Sequence, residues 1–171
     1  QDFSAGFVIL IFNRGLLHWG GELYVAVYAI ISNIAFVVKA IFDGIGTAAQ
    51  PILSFNYGAE KMPRVAVTFK VALFACLGVA AFLYVSFLLF PETIVGWFTY
   101  NDKSLVTEGA HALKLYFTCL GFMALNAIFA YFFQSIEQFH RSFIIAILRG
   151  FVFVVAGMAI FAPLWQIDGI W

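Results

Sequence analysis

Five long apolar runs limit what this chain can become more than any other feature. They cover about residues 3–17, 23–48, 69–90, 112–133 and 143–162. A helix needs roughly 20 mostly apolar residues to cross about 30 Å of hydrocarbon, and only the first run is slightly short. In lipid the backbone finds no water, and a closed barrel needs alternating strands that are absent here, so each run is read as a helix. Composition leads to the same place. The 171 residues are 64% hydrophobic and 11% charged, with a mean hydropathy of +0.98. Soluble domains average about 45–50% apolar and about 25% charged, so a core of this size leaves apolar surface outside. The expected class is an all-α integral membrane protein, with five transmembrane helices in a single lobe over residues 1–171.

The connectors set orientation. Lys61, Arg64 and Lys70 lie between the second and third runs, and His140 and Arg141 between the fourth and fifth. Residues 18–22 and 91–111 carry only Lys103 beside Glu22, Glu92, Asp102 and Glu108. By the positive-inside rule the first pair of connectors is cytoplasmic, and the chain enters the first span from the cytoplasm. Trp19, Trp97, Tyr100, Trp165 and Trp171 fall on the opposite side, as an interfacial belt does, and residues 93–100 read as a short interfacial helix. Ser142 is the expected N-cap of the fifth span, Pro63 suits the first turn leading into the third, and Pro91 and Pro163 close the third and fifth. Gln1-Asp2 precede the first run with neither a basic region nor an A-x-A site, so no signal peptide is read. Five spans, no initiating Met, and an end at Gly169-Ile170-Trp171 where another span is due point to an incomplete chain.

Ionisable groups at membrane depth are costly and face protein or water. Lys39 and Asp43 are four apart on one helical face, where they form either a structural ion pair or a coupling pair lining a cavity. Arg149 has no acid at i±4; it snorkels, meets a partner on another helix, or binds lipid headgroups as a structural anchor. Tyr116, Cys119, Met123, Asn126, Ala130 and Gln134 recur at spacings of three and four. Such a stripe is a helix–helix seam or a substrate path, and Asn13 and Asn33 carry the same two readings. Small residues four apart allow close helix packing: Ala40, Gly44 and Ala48; Ala72, Cys76 and Ala80; Ala146 and Gly150. Both cysteines lie inside apolar runs and read as small packing residues.

Enzyme chemistry finds no support. His18, His111 and His140 sit in or near connectors on both sides of the membrane, so they build no common metal site. The chain holds no H-E-x-x-H, CxxC, P-loop or G-x-S-x-G pattern. Zero net charge gives no reason to expect a nucleic-acid partner.

Residues 44–65, GIGTAAQPILSFNYGAEKMPRV, are unusually rich in Gly, Pro, Asn and Gln for a segment between two spans. Gly44 and Ala48 are expected to let the second span pack tightly, Pro51 to end or kink it, and Asn56-Tyr57-Gly58 to turn with Gly58 at positive φ. Gly44, Gly46, Gln50, Pro51, Ser54, Asn56, Gly58, Ala59 and Arg64 resemble a cytoplasmic junction of multidrug and toxin extrusion (MATE) transporters, in the MOP superfamily. Residues 12–30, 131–150 and 161–171 resemble neighbouring junctions of that family. Gln50, Pro51, Asn56, Gly58 and Arg149 are then structural residues.

The resemblance implies helices seven to eleven of a twelve-helix fold built as two six-helix lobes, with the N-terminal lobe and last helix missing. It implies an antiporter in a plasma (inner) membrane, of prokaryotic type, exporting amphiphilic or cationic drugs against H+ or Na+ with no other cofactor. Partners are those small molecules, membrane lipids and the missing lobe. One branch of the family carries coupling acids in helices seven and ten. Here the first span has no acid beyond Asp2, and Asn126 stands about where the helix-ten acid falls. An amide coordinates Na+ or bonds a substrate but carries no proton at physiological pH. Asn126, Met123, Tyr116, Gln134, Asn33 and Asn13 are the candidate substrate residues, and Asp43 and Lys39 the candidate coupling pair. The alternatives are a lipid-linked precursor flippase of the same superfamily, for which Arg14, Lys39 and Arg149 are the available cations, and a non-transporting membrane scaffold.

Overall fold

The computed structural model describes residues 2–99, 102–148, 153–165, 167–169 and 171. Every regular element among them is helical: α1 (Asp2–Gly20), α2 (Glu22–Gly58), α3 (Met62–Leu89), α4 (Pro91–Gly96), α5 (Lys103–Tyr116), a 3₁₀ turn (Phe117–Cys119), α6 (Leu120–Ser135), α7 (Phe139–Ile147) and α8 (Phe153–Trp165). Among these, α2, α3 and the stretch Lys103–Ser135 are each long and apolar enough to cross a membrane. The fifth apolar run falls on α7 and α8, with Arg149, Gly150 and their neighbours outside the described residues.

Two compact units are distinguished by packing. The first comprises residues 1–35, 86–118 and 147–171, the second 36–85 and 119–146. Phe12, Leu16 and Tyr28 form a buried cluster in the first, with Tyr24, Val25 and Trp171 packed against it. In the second, Ala72, Cys76 and Ala80 are buried at four-residue intervals on α3, as their spacing predicts. Large apolar side chains such as Phe55, Phe74, Phe82 and Phe122 are exposed, which suits a chain whose surroundings are lipid.

Several expected boundaries move. Pro51 does not end α2, which continues to Gly58. Proline costs a helix one backbone hydrogen bond, but apolar surroundings leave the backbone no better alternative than the helix itself. Asn56 and Tyr57 are therefore helical, and the turn falls later. The amide of Lys61 donates to the Asn56 carbonyl (2.9 Å) and that of Glu60 to Tyr57 (3.0 Å), the paired bonds of a Schellman stop. Positive φ belongs to Glu60 (57°), not Gly58. The end of α6 repeats this arrangement: Gln138 donates to Phe133 (2.9 Å), Glu137 to Gln134 (3.3 Å), and Glu137 has φ 60°.

Ser142 lies inside α7 rather than at its start, and Pro163 inside α8. Pro63 and Pro91 do occupy the first turns of α3 and α4. The expected interfacial helix begins at Pro91 and ends at Gly96, leaving Trp97 exposed. Helix α5 starts at Lys103, nine residues before the fourth run was expected to begin. Asp102 explains why: its Oδ1 accepts from the amides of Ser104 (2.9 Å) and Leu105 (3.2 Å), a side-chain N-cap. Val95 of α4 is fully buried and lies against Gly109 of α5, where an added Cβ would fall 2.7 Å from Val95 Cγ1.

Candidate functional site

The first unit gathers ionisable side chains from three separate parts of the chain. α1 stops at Gly20, and Gly21 takes φ +76°, a conformation that favours glycine. Gly20 also has no side chain where the Tyr24 ring lies; an added Cβ would sit 2.4 Å from it. Held there, the Tyr24 hydroxyl donates to Glu108 Oε2 of α5 at 2.9 Å. One turn further along α5, His111 Nε2 lies 3.1 Å from Asp168 Oδ1 in the turn after α8. Glu108 and His111 are three apart and share a helical face. The His111–Asp168 contact is more than half exposed on both sides, so it contributes no more than about 1 kcal/mol.

Beside these groups Tyr28, one turn after Tyr24, stacks on Phe12 (centroids 5.0 Å apart, 12° between planes) and meets Trp171 at 6.4 Å. Phe117, in the 3₁₀ turn, is fully buried against Phe87 (4.7 Å) with Tyr116 edge-on (5.1 Å). Tyr28 is 5% exposed, so its ring packs against protein rather than presenting a face to a ligand. The distinctive chemistry here is the Glu108 carboxylate. Its hydrogen-bond partner is a neutral phenol, and no cation pairs with it among the described residues.

Asp43 is placed differently. In the second unit Lys39 and Asp43 do form the i, i+4 ion pair on α2, partly exposed on both sides. Asp43 thus already has a full positive charge beside it. Asn33 is exposed and spends its amide on the Ala29 carbonyl at 2.9 Å, one turn back. Asn13 is half-buried on α1. Tyr116 belongs to the first unit, while Met123, Asn126 and Gln134 are half-buried on α6 in the second. Those three lie beside, not on, the buried face of α6, which is made by Leu120, Ala124, Ala127, Ile128 and Ser135.

Among the expected structural residues, Gln50 is half-buried and Pro51 and Gly58 are exposed. Asn56 is buried and donates to the Ile52 carbonyl at 2.8 Å. The close approach expected at Gly44 occurs at Gly46 instead. Gly44 has open space at its Cβ position, whereas a Cβ on Gly46 would fall 2.2 Å from the Tyr131 ring. Near it, Ser54 Oγ donates to the Ser135 carbonyl at 3.2 Å. Arg149 lies outside the described residues.

The Tyr24–Glu108 bond joins residues 84 apart and escaped the sequence reading, which left Glu108 and His111 in a connector. One signal was available: Asp102 before a helix-forming stretch marks the start of α5 and brings both residues onto it.

The MatE family model matches residues 4–165. An outward-facing multidrug resistance MATE family transporter of the MOP superfamily has the same fold, with TM-score 0.89 at 21% identity, over 99% of this chain and 38% of that one. An inward-facing conformation of a multidrug resistance MATE family transporter gives 0.85 at 18%, over 98% and 39%. A MOP superfamily transporter from Pyrococcus furiosus gives 0.89 at 21%, over 99% and 38%. No curated protein matches the chain. The chain therefore spans well under half the length of these structures.

Proposed function

The chain belongs to the MatE family, and from that premise we propose that it is the C-terminal lobe of a secondary transporter exporting amphiphilic or cationic compounds against H+ or Na+. The fold shared with both outward- and inward-facing transporters supports a lobe that serves alternating access. Within the lobe, one observation guides the choice of coupling residue: the Glu108 carboxylate has a neutral partner, whereas Asp43 is paired with Lys39. A carboxylate already balanced by an ammonium gains little from a second cation. One held by a phenol keeps its charge for H+ or Na+. Glu108 therefore replaces Asp43 as the leading candidate. Met123, Asn126 and Gln134, together on α6, remain candidate contacts for substrate, Asn126 through its amide and Met123 through an adaptable apolar contact.

The test uses the full-length transporter in proteoliposomes, with ethidium transport driven by an imposed H+ or Na+ gradient. Glu108→Gln should abolish gradient-driven transport yet leave ethidium counterflow, which needs no coupling ion. Asp43→Asn should leave both intact. Unchanged gradient-driven transport in Glu108→Gln refutes the assignment. A flippase for lipid-linked precursors calls for free cationic residues, and the pairing of Lys39 removes one of its three candidates.

A further inference from the structure

At the turn between α2 and α3 we infer a binding site for one anionic phospholipid, with its phosphate on Arg64 and an acyl chain along α3. Both helices are long and apolar enough to cross a membrane, so the turn joining them stands at a membrane surface. A cavity of about 410 Å³ opens there, lined by Ile52, Asn56, Pro63, Arg64, Val67 and Thr68. Arg64, Thr68 and the buried Asn56 supply its polar lining. Arg64 is exposed, and no carboxylate pairs with it among the described residues. Lys61 and Lys70 add two positive charges nearby against the single carboxylate of Glu60.

The apolar end distinguishes a lipid from a free anion. Val67 leads along α3 to Val71, Phe74 and Phe82, each large, apolar and exposed, at spacings that keep them on one face. From Val71 to Phe82 the helix rises about 16 Å, at about 1.5 Å per residue. One leaflet contributes about 15 Å of hydrocarbon, half the core thickness. A phosphate held at the first turn of α3 therefore sets an acyl chain against a stripe of matching depth. Guanidinium and phosphate form a charge-assisted, bidentate pair, and anionic lipids concentrate in the cytoplasmic leaflet, the side that the basic turn selects. The site is independent of which substrate the protein carries.

Native mass spectrometry of the full-length transporter in detergent tests this, with dioleoylphosphatidylglycerol and dioleoylphosphatidylcholine added at equal concentration. Phosphatidylglycerol should be retained in preference, and Arg64→Gln should reduce that preference at least about tenfold, which is about 1.4 kcal/mol. Arg64→Lys should retain part of it, since the charge remains while the bidentate geometry is lost. Val71→Asp should weaken retention without touching Arg64, which keeps the test valid if Arg64→Gln fails to fold. Lys114→Gln, on α5, is the control and should change nothing. Inorganic phosphate at tens of millimolar should not displace the lipid. Displacement would make this a simple anion site and overturn the proposal. So would equal retention of both lipids, or retention unaffected by Arg64→Gln. Failure to retain any lipid would mean that another part of the longer protein covers this face, which also overturns it.

Discussion

Replacing Gly46 by alanine tests the packing of α2 against α6 most directly. An added Cβ would lie 2.2, 2.6 and 2.8 Å from three atoms of the Tyr131 ring. To restore an ordinary contact of 3.4 Å the nearest atom must retreat by about 1.2 Å. A ring moves as a plane, so the displacement falls on the whole side chain. Tyr131 also sits on α6 one turn before Ser135, whose hydroxyl donates to the Tyr131 carbonyl at 2.7 Å and whose carbonyl accepts from Ser54 of α2. Moving the ring by shifting the backbone would strain that second link. Overpacking of this kind costs about 1–3 kcal/mol, while alanine gains about 1 kcal/mol over glycine in helix propensity. The net expectation is a loss of about 0–2 kcal/mol. The sign becomes decisive in a double-mutant cycle with Tyr131→Leu. With the ring gone, the steric cost falls away and Gly46→Ala should stabilise by up to about 1 kcal/mol. The coupling between the two changes is then at least about 1 kcal/mol. Thermal melting of the detergent-solubilised protein, followed by size-exclusion fluorescence at a fixed heating schedule, reads all four variants. If Gly46→Ala raises the melting temperature equally with and without Tyr131, the two residues do not touch and the reasoning fails.

The two Schellman stops give a gain-of-stability prediction. Glu60 and Glu137 sit at positive φ, where a side chain costs about 1–2 kcal/mol and glycine is free of that cost. After the entropy that glycine loses on folding, Glu60→Gly or Glu137→Gly should stabilise by about 0.5–1 kcal/mol, and Glu60→Val should destabilise; the same melting assay checks both. Asp102→Ala removes the acceptor of two α5 amides and should cost about 1 kcal/mol, with Asp102→Ser recovering most of it. Equal melting of Asp102→Ala and wild type would mean that water caps α5 as well as the carboxylate does.

The sequence by itself determined that the chain is helical and membrane-bound, because lipid admits few alternatives for so apolar a backbone. It also determined features that depend only on nearby residues. Pro63 and Pro91 stand in first turns because their missing amides are not needed there, and Lys39–Asp43 pairs because helical spacing brings the two together. The small-residue stripe of α3 was legible for a similar reason, since four-residue spacing gathers Ala72, Cys76 and Ala80 on one side. The same spacing misled on α2, where Gly44 is open and Gly46 carries the contact. A period names a stripe but not the rotation that turns it toward a neighbour. Pro51 does not end α2 and Gly58 is not its positive-φ residue, because local propensity marks a possible stop while the hydrogen bonds from Lys61 and Glu60 fix the actual one. The Glu108–Tyr24 and His111–Asp168 contacts join residues 84 and 57 apart. No local pattern encodes such meetings, because they follow from how whole helices pack. Only the tertiary structure could show that Glu108 meets a neutral phenol and, among the described residues, no cation.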